Sequence, residues 1–329
     1  MSKISVFIPV YNGVKYLQQT LESILKQSFK EFEVLCIDDG SSDESLIILN
    51  EFARTNERIK VFSKPNEGSV PYSWKYVFPF IKSEYTCYLS QDDIFAPDFL
   101  SKQYNKAIET DADAVVPVVE YYFESSQQNV ISRGLNGRLD VELPGRDAFI
   151  YSLDWQISGF ALWKTALIKR IGIKTDAFNS DELAQRLWFL NCNKVVFSDA
   201  RFYYRQDNPN AITKSFGYYQ YSTVKTNLHL LHKMREIKLE KKVIEKFHRK
   251  YFISLFYLKA KAIQNQKNYS EKQNIELKKL FTQNFQELRN LPVDDIGSIE
   301  KIKFRLLSTN SFLFNLAAQL FALKIKLTA

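Results

Sequence analysis

Over its first 125 residues the chain alternates between short β-branched apolar runs and stretches whose apolar positions recur three and four apart. The run "ISVFIPV" at 4–10 predicts a strand. The stretch after it, "VKYLQQTLESILKQS", puts Tyr16, Leu17, Leu21, Ile24 and Leu25 on one helical face. "FEVLCIDD" predicts a second strand, and "SDESLIILNEFART" a helix with Ser42 or Asp43 as N-cap. "IKVFS" predicts a third strand, followed by a helical stretch around 74–81. "YTCYLS" predicts a fourth strand, and "PDFLSKQYNKAIE" a helix with Pro97 near its start. A fifth strand is expected in "DAVVPVVEYYF", with Pro117 demanding a sheet edge or a bulge. Repeated βα units predict an α/β fold: a mostly parallel sheet with helices on both faces.

From about Phe216 the strand patterns stop. "TVKTNLHLLHKMREIKLEKKVIEKFHRKYFISLFYLKAKAIQNQ" is long, periodic and basic, and reads as helices. The chain is therefore expected to divide into an α/β domain, 1–215, and a helical extension, 216–329. Charge divides in nearly the same place. Of the 45 Lys+Arg and 37 Asp+Glu, residues 221–329 hold 21 and 9, a balance of +12; residues 1–220 hold 24 and 28, or −4. Such asymmetry points the second part toward an anionic partner or membrane surface. No nucleic-acid-binding module is recognisable in it, so nucleic acid is not expected as a partner.

The last segment sharpens that expectation. From Leu306 to Leu323 there is no charge, while Lys301, Lys303 and Arg305 precede it and Lys324 and Lys326 follow. Ser, Thr, Asn and Gln within it weaken the case for a spanning helix, which needs about 20 mainly apolar residues. A helix lying in a membrane interface and an ordinary packing helix both fit. The three cysteines, Cys36, Cys87 and Cys192, are far apart, and the first two sit in apolar runs. They read as buried thiols in a reducing compartment. His229, His232 and His248 all lie in the basic part, without a companion metal-ligand pattern, and read as surface residues.

Candidate chemistry concentrates at strand ends. Asp38 and Asp39 follow the second strand, and Asp92 and Asp93 the fourth. In a parallel sheet ligands bind outside the carboxyl ends of the strands, so four carboxylates converge on one crevice. Adjacent like charges repel unless a cation or water intervenes. A dinucleotide enzyme would share the alternation, but "PVYNG" stands where a G-x-G-x-x-G should follow the first strand.

"ISVFIPVYNGVKYLQQTLESILKQSFKEFEVLCIDDGSSDES", "PNEG" and "YLSQDDIFAPDFL", in that order, resemble a family 2 glycosyltransferase with the GT-A fold, of the bacterial surface-polysaccharide type. "NSDELAQRLWFLNCNKVVFSDARFYYRQDNPNAIT" resembles the acceptor-side segment of its polysaccharide members, so the likeness spans roughly residues 3–215. It implies inverting transfer of a sugar from a nucleotide sugar, a UDP-sugar foremost, to a polysaccharide or lipid-linked glycan. It implies a divalent cation, manganese or magnesium, with Asp93 as principal ligand and Asp92 on the ribose or in the metal shell. Asp39 corresponds to the residue that bonds the nucleobase edge, Asp38 shapes the turn or reaches the ribose, and Pro9, Val10 and Tyr11 line the base pocket. The acceptor hydroxyl needs a base. "SDEL" offers Asp181 and Glu182, in reverse of the family's Glu–Asp order, so both stay open; Arg186 one turn on orients them, and Arg205 meets the diphosphate. Trp155 and Gly159 fall on the acceptor-side loop, where an aromatic ring can stack on a sugar or pack in the core. Members often carry Ala-Arg-Asn after the Asn-x-Gly; this chain reads "NEGSVPYSWKYVF", with Lys75 the nearest cation. The setting implied is the cytoplasm, at the inner face of the cell membrane. The rival reading is a member of the same fold that binds nucleotide or glycan without catalysis.

Overall fold

The computed structural model describes residues 2–124, 130–212, 214, 216–290, 307 and 310–328. They group into two compact units: Met1–Thr175 with Asp181–Phe216, and Asp176–Ser180 with Gly217–Ala329.

In the first unit, β1 (Ile4–Val10), β2 (Phe32–Asp38), β3 (Ile59–Ser63) and β4 (Tyr85–Tyr88) alternate with α1 (Val14–Leu25), α2 (Ser45–Thr55) and α3 (Val70–Val77). Then come β5 (Ile94–Phe95), α4 (Phe99–Thr110), β6 (Ala114–Tyr122), β7 (Val130–Ser132), α5 (Gly145–Ser152), β8 (Leu162–Lys164), α6 (Thr165–Ile171), α7 (Ser180–Leu190) and β9 (Val195–Arg205). The sheet runs β3-β2-β1-β4-β8-β6-β9-β5, with β7 on β6. Its long ladders, β1 with β2 and β4, β2 with β3, and β6 with β9, are parallel. The short β5, β7 and β8 pair antiparallel.

Period-two alternation serves both faces. Val6, Ile8 and Val10 of β1 and Val34 and Cys36 of β2 join Leu17, Leu21, Leu49 and Leu100 from the helices in one core. Phe7, Leu35 and Ile37 face the opposite way, toward Trp74, Val77, Trp163 and Trp188. Trp163 is thus core packing. Pro117 lies inside the sheet, since β6 has neighbours on both sides. The β6–β9 register shifts between Val116 and Val118, so of the two expectations the bulge holds and the edge does not. All three cysteines are free and buried.

The second unit is helical: α8 (Thr223–Glu236), α9 (Lys241–Asn265), α10 (Glu271–Arg289) and α11 (Ser311–Thr328). Phe314 on α11 is buried against Phe252, Phe256 and Phe285, and Ala318 and Ala322 are buried beside it. One face of this helix therefore packs. Phe312, Leu316, Leu320 and Leu323 on its other turns are exposed. Among the described residues no helix is long and apolar enough to cross a membrane. Lys301, Lys303 and Arg305 lie outside the described residues, as do the side chains of Lys324 and Lys326. The histidines correct the sequence expectation in part. His248 is buried, its Nε2 3.2 Å from the Leu288 carbonyl, while His229 meets Asp176 at 2.8 Å.

Candidate active site

Because β1, β2 and β4 run parallel in register, Val10 beside Asp38 and Phe7 beside Tyr88, their carboxyl ends open on one edge. The loops after them carry most of the predicted site. Asp39 leaves β2 with its N–H donated to the Val10 carbonyl at 2.7 Å. Gly40 follows with φ +70°, and a Cβ there would stand 2.8 Å from the Asn66 nitrogen, so the turn requires glycine. Asp38 is buried and accepts from the Ser41 N–H and the Ser63 hydroxyl, which makes it an organiser of the turn. Pro9 and Val10 are buried in β1, whereas the Tyr11 side chain is 48% exposed.

Asp39 is nearly buried and already occupied. Lys64, itself buried, donates to its carboxylate and to Glu67, and the Glu67 N–H reaches the same Asp39 oxygen at 3.3 Å. Lys64 was not foreseen as a site residue. The only signal was its place at a strand end just before Pro-Asn-x-Gly. Lys75, the cation noted in the sequence, is exposed.

Gln91 ties the β4 loop to β1, accepting from the Tyr11 N–H at 2.8 Å and donating to the Tyr11 carbonyl at 3.0 Å. Thr20 donates to the carbonyls of Gln91 and Asp93 from below. The two adjacent acids then part. Asp92 is half-buried and accepts from Ser90 at 2.9 Å and Asn208 at 2.7 Å. Asp93 has no exposed surface; one oxygen accepts the Arg205 N–H at 2.9 Å, and the other is buried without a partner. Burial first, and Asp92 second, push its pKa well above the carboxylate range. Asp93, expected as the principal cation ligand, thus lies wholly inside the fold with one oxygen spent on the Arg205 N–H, whereas Asp92 keeps surface at the crevice.

Arg205 also departs from its expected role. Its guanidinium is fully buried and sandwiched by Tyr16 and Tyr122, with ring centroids 4.4 and 5.1 Å away. It donates to the Asp92 carbonyl at 2.9 Å, to Gln19, and to Glu124 and Asp207. With its donors spent on protein, it clamps the acidic loop and does not face a diphosphate.

Asp181 and Glu182 open α7. Glu182 pairs with Arg186 one turn on, at 3.4 Å, and its carbonyl accepts from the same nitrogen at 2.9 Å. Asp181 has no such partner. Burial, with the Glu182 charge adding to it, raises its pKa to about 7, against the pull of helix N–H groups and Arg186. The Tyr88 phenol, hydrogen-bonded to Ser90, is close enough for the charges of Asp181, Asp93 and Asp92 to bear on it. It links the α7 acid to the β4 loop. Among the described residues no three His, Cys, Asp or Glu side chains cluster as a metal cage.

A mostly parallel sheet with Asp39 and the half-buried Asp92 on the loops at its carboxyl edge, and the α7 acid Asp181 near enough to Tyr88 to act on it, defines the class: a GT-A-like glycosyltransferase fold. Residues 5–171 match the model of glycosyl transferase family 2, and the chain belongs to that family. It is 36% identical over 203 residues to an uncharacterized glycosyltransferase of Haemophilus influenzae, covering 60% of this chain and 74% of that protein. It is 27% identical over 232 residues to glycosyltransferase GlyG of Streptococcus pneumoniae, covering 65% and 74%. Among solved structures, S. aureus TarS 1-349 in complex with UDP-GlcNAc aligns with a TM-score of 0.68 at 18% identity, over 96% of this chain and 89% of that one, which speaks to the fold.

Proposed function

We propose that the protein transfers a single sugar from a UDP-sugar to a polysaccharide or lipid-linked glycan, inverting the anomeric centre, with Asp181 as the base. The observation that carries this reading is the placement of Asp181 in the first turn of α7, with no cation paired to it among the described residues, beside a Glu182 that Arg186 engages. A general base works best when its pKa lies near the working pH. Asp181 meets that condition, whereas Glu182 is engaged by Arg186. Asp181 takes the proton from the acceptor hydroxyl as that oxygen attacks the anomeric carbon; the glycosidic bond forms as the sugar–diphosphate bond breaks, and UDP leaves with the electron pair. Asp39, with Lys64 beside it, and Tyr11 hold the uridine.

A manganese or magnesium ion fits Asp92. Its two oxygens are oriented by Ser90 and Asn208, and each keeps a lone pair for the crevice. A carboxylate and diphosphate oxygens are the hard donors such ions take. When bound, the ion supplies charge neutralisation of the departing diphosphate.

The reading keeps the enzyme on the cytoplasmic side of the membrane, touching it peripherally through the exposed Phe312, Leu316 and Leu320 of α11. Replacing these three by serine should release the protein from phosphatidylglycerol vesicles; unchanged co-sedimentation would remove α11 from the account.

The deciding experiment measures UDP release from a panel of UDP-sugars, with and without chelator, by wild type and Asp181→Asn. Metal-dependent release by wild type, with the variant still binding UDP but inactive, is the expected result. UDP binding with no turnover of any donor would instead favour the non-catalytic reading.

A further inference from the structure

We propose that Trp155 is the stacking platform for the acceptor, and that the acceptor therefore presents a pyranose ring in place of an acyclic polyol. The inference rests on the reading of Asp181 as base and names the substrate class on its side of the site.

The backbone is the first observation. Helix α5 ends in a turn where the Gln156 N–H bonds to the Tyr151 carbonyl at 3.1 Å and the Trp155 N–H to the Ser152 carbonyl at 3.3 Å. That is the pairing of a Schellman motif, whose left-handed position is usually glycine. Here it is Trp155, with φ +63°. A bulky side chain is disfavoured in that region, and strain of this kind gathers at functional sites. A glycine would end the helix at no such cost, so helix termination does not explain a tryptophan.

Exposure is the second. Trp74, Trp163 and Trp188 are 1% exposed, while Trp155 is 48% exposed. One face of its indole is covered by the Arg186 guanidinium, 4.8 Å from the ring. Arg186 is itself buried and paired to Glu182, the neighbour of Asp181. The platform is therefore braced on the helix that carries the base. Gly159 in the same loop passes close to α7: a Cβ there would lie 1.9 Å from the Gln185 amide oxygen, at the movable end of that side chain. What remains is a flat apolar face, backed by an arginine that pairs with the neighbour of the base. A pyranose offers a matching flat array of C–H bonds to a π face. An open-chain polyol has no fixed face to offer.

The test uses the intact protein with UDP bound. Trp155 is the one tryptophan of the four that acrylamide should quench readily. Cellobiose and chitobiose, the ring probes, should protect it, and ribitol should not. Trp155→Ala should lower transfer to these disaccharides about tenfold relative to donor hydrolysis, with Trp155→Phe recovering most of the loss. Trp155→Gly should be equally poor in transfer yet melt no lower than Trp155→Ala, because glycine relaxes the turn. Protection by ribitol as strong as by the disaccharides, or by none of the probes, overturns the proposal. Because protection is read without turnover, a failure of UDP release in wild type would sink the transferase reading separately.

Discussion

The acids after β2 and β4 and the acid that opens α7, donor side and acceptor side in the proposed reading, are treated in opposite ways. Asp39 has Lys64, Asp93 is buried with the Arg205 N–H on one oxygen, and Asp38 is spent on a turn. Each is engaged from within the fold, while Asp92 is half-buried at the crevice. Asp181 is left against Glu182 with its compensating cation engaged elsewhere, and its pKa rises to about 7. The difference separates two tasks. Binding a polyanionic donor calls for a charge pattern that does not change with pH. Taking a proton calls for a group whose charge changes within reach of pH 7.

The strongest way to break this comparison is to remove the uncompensated acid. Asp181→Asn should lower transfer by about 10²–10⁴-fold with UDP affinity nearly unchanged, while Glu182→Gln, which removes an ion-pair partner, costs far less. Equal losses in turnover assays would erase the distinction between the two. Wild-type transfer should also fall as pH drops through about 7, because protonated Asp181 cannot act as base.

On the donor side the largest effect should be on stability. Arg205→Ala leaves the Asp92 carbonyl without its donor and Asp207 and Glu124 without their cation, and opens a cavity between Tyr16 and Tyr122. Emptying that buried site costs about 3 kcal/mol, with the exposed carboxylates adding little. Calorimetry should register this as a drop in Tm of about 10 °C. A fall in UDP affinity with the melting curve unmoved would return Arg205 to the diphosphate.

A finer cut divides the adjacent pair. Asp92→Asn should raise the manganese concentration needed for half-maximal turnover about tenfold. Asp93→Asn should leave it nearly unchanged, since Asp93 has no surface at the crevice and an amide oxygen can still accept the Arg205 N–H. The reverse result would restore Asp93 as the ligand.

How much of this could be read from the sequence follows from what each feature depends on. Strands β1 to β4, their helices and the carboxyl-edge convergence of Asp39 and Asp92 depend on local periodicity and chain order, and all were legible. The strands β5, β7 and β8 are two or three residues long and exist only because a neighbour supplies a ladder. No period can announce them. Residue type named Asp93 and Arg205 as site groups, but burial decides what a charge can do. That burial arises from Tyr16, Tyr122 and β9, which are distant in the sequence. Trp155 was visible as an aromatic on the acceptor-side loop. Its left-handed backbone was not, because nothing in the pattern asks for a tryptophan at a position glycine usually fills.

The smallest expected effect is on stability at Asp181 itself, and its sign is the sharpest check on the comparison. A free aspartate titrates near 3.9; in the folded chain Asp181 titrates near 7. Between those values the native state holds a proton that the unfolded chain has lost. Stability from this group is therefore fully present below about pH 4 and lost as pH rises through about 7. Asn at 181 cannot ionise and escapes the loss. Three pH units correspond to at most about 4 kcal/mol, and water reaches part of Asp181, so the gain should be smaller. We expect Asp181→Asn to melt about 4 °C above wild type at pH 8, the difference shrinking steadily toward pH 4. The same substitution that stops transfer would then stabilise the fold, increasingly as pH rises from about 4 to about 7. A variant that melts below wild type at pH 8 would mean that Asp181 is compensated after all, like the acids across the crevice.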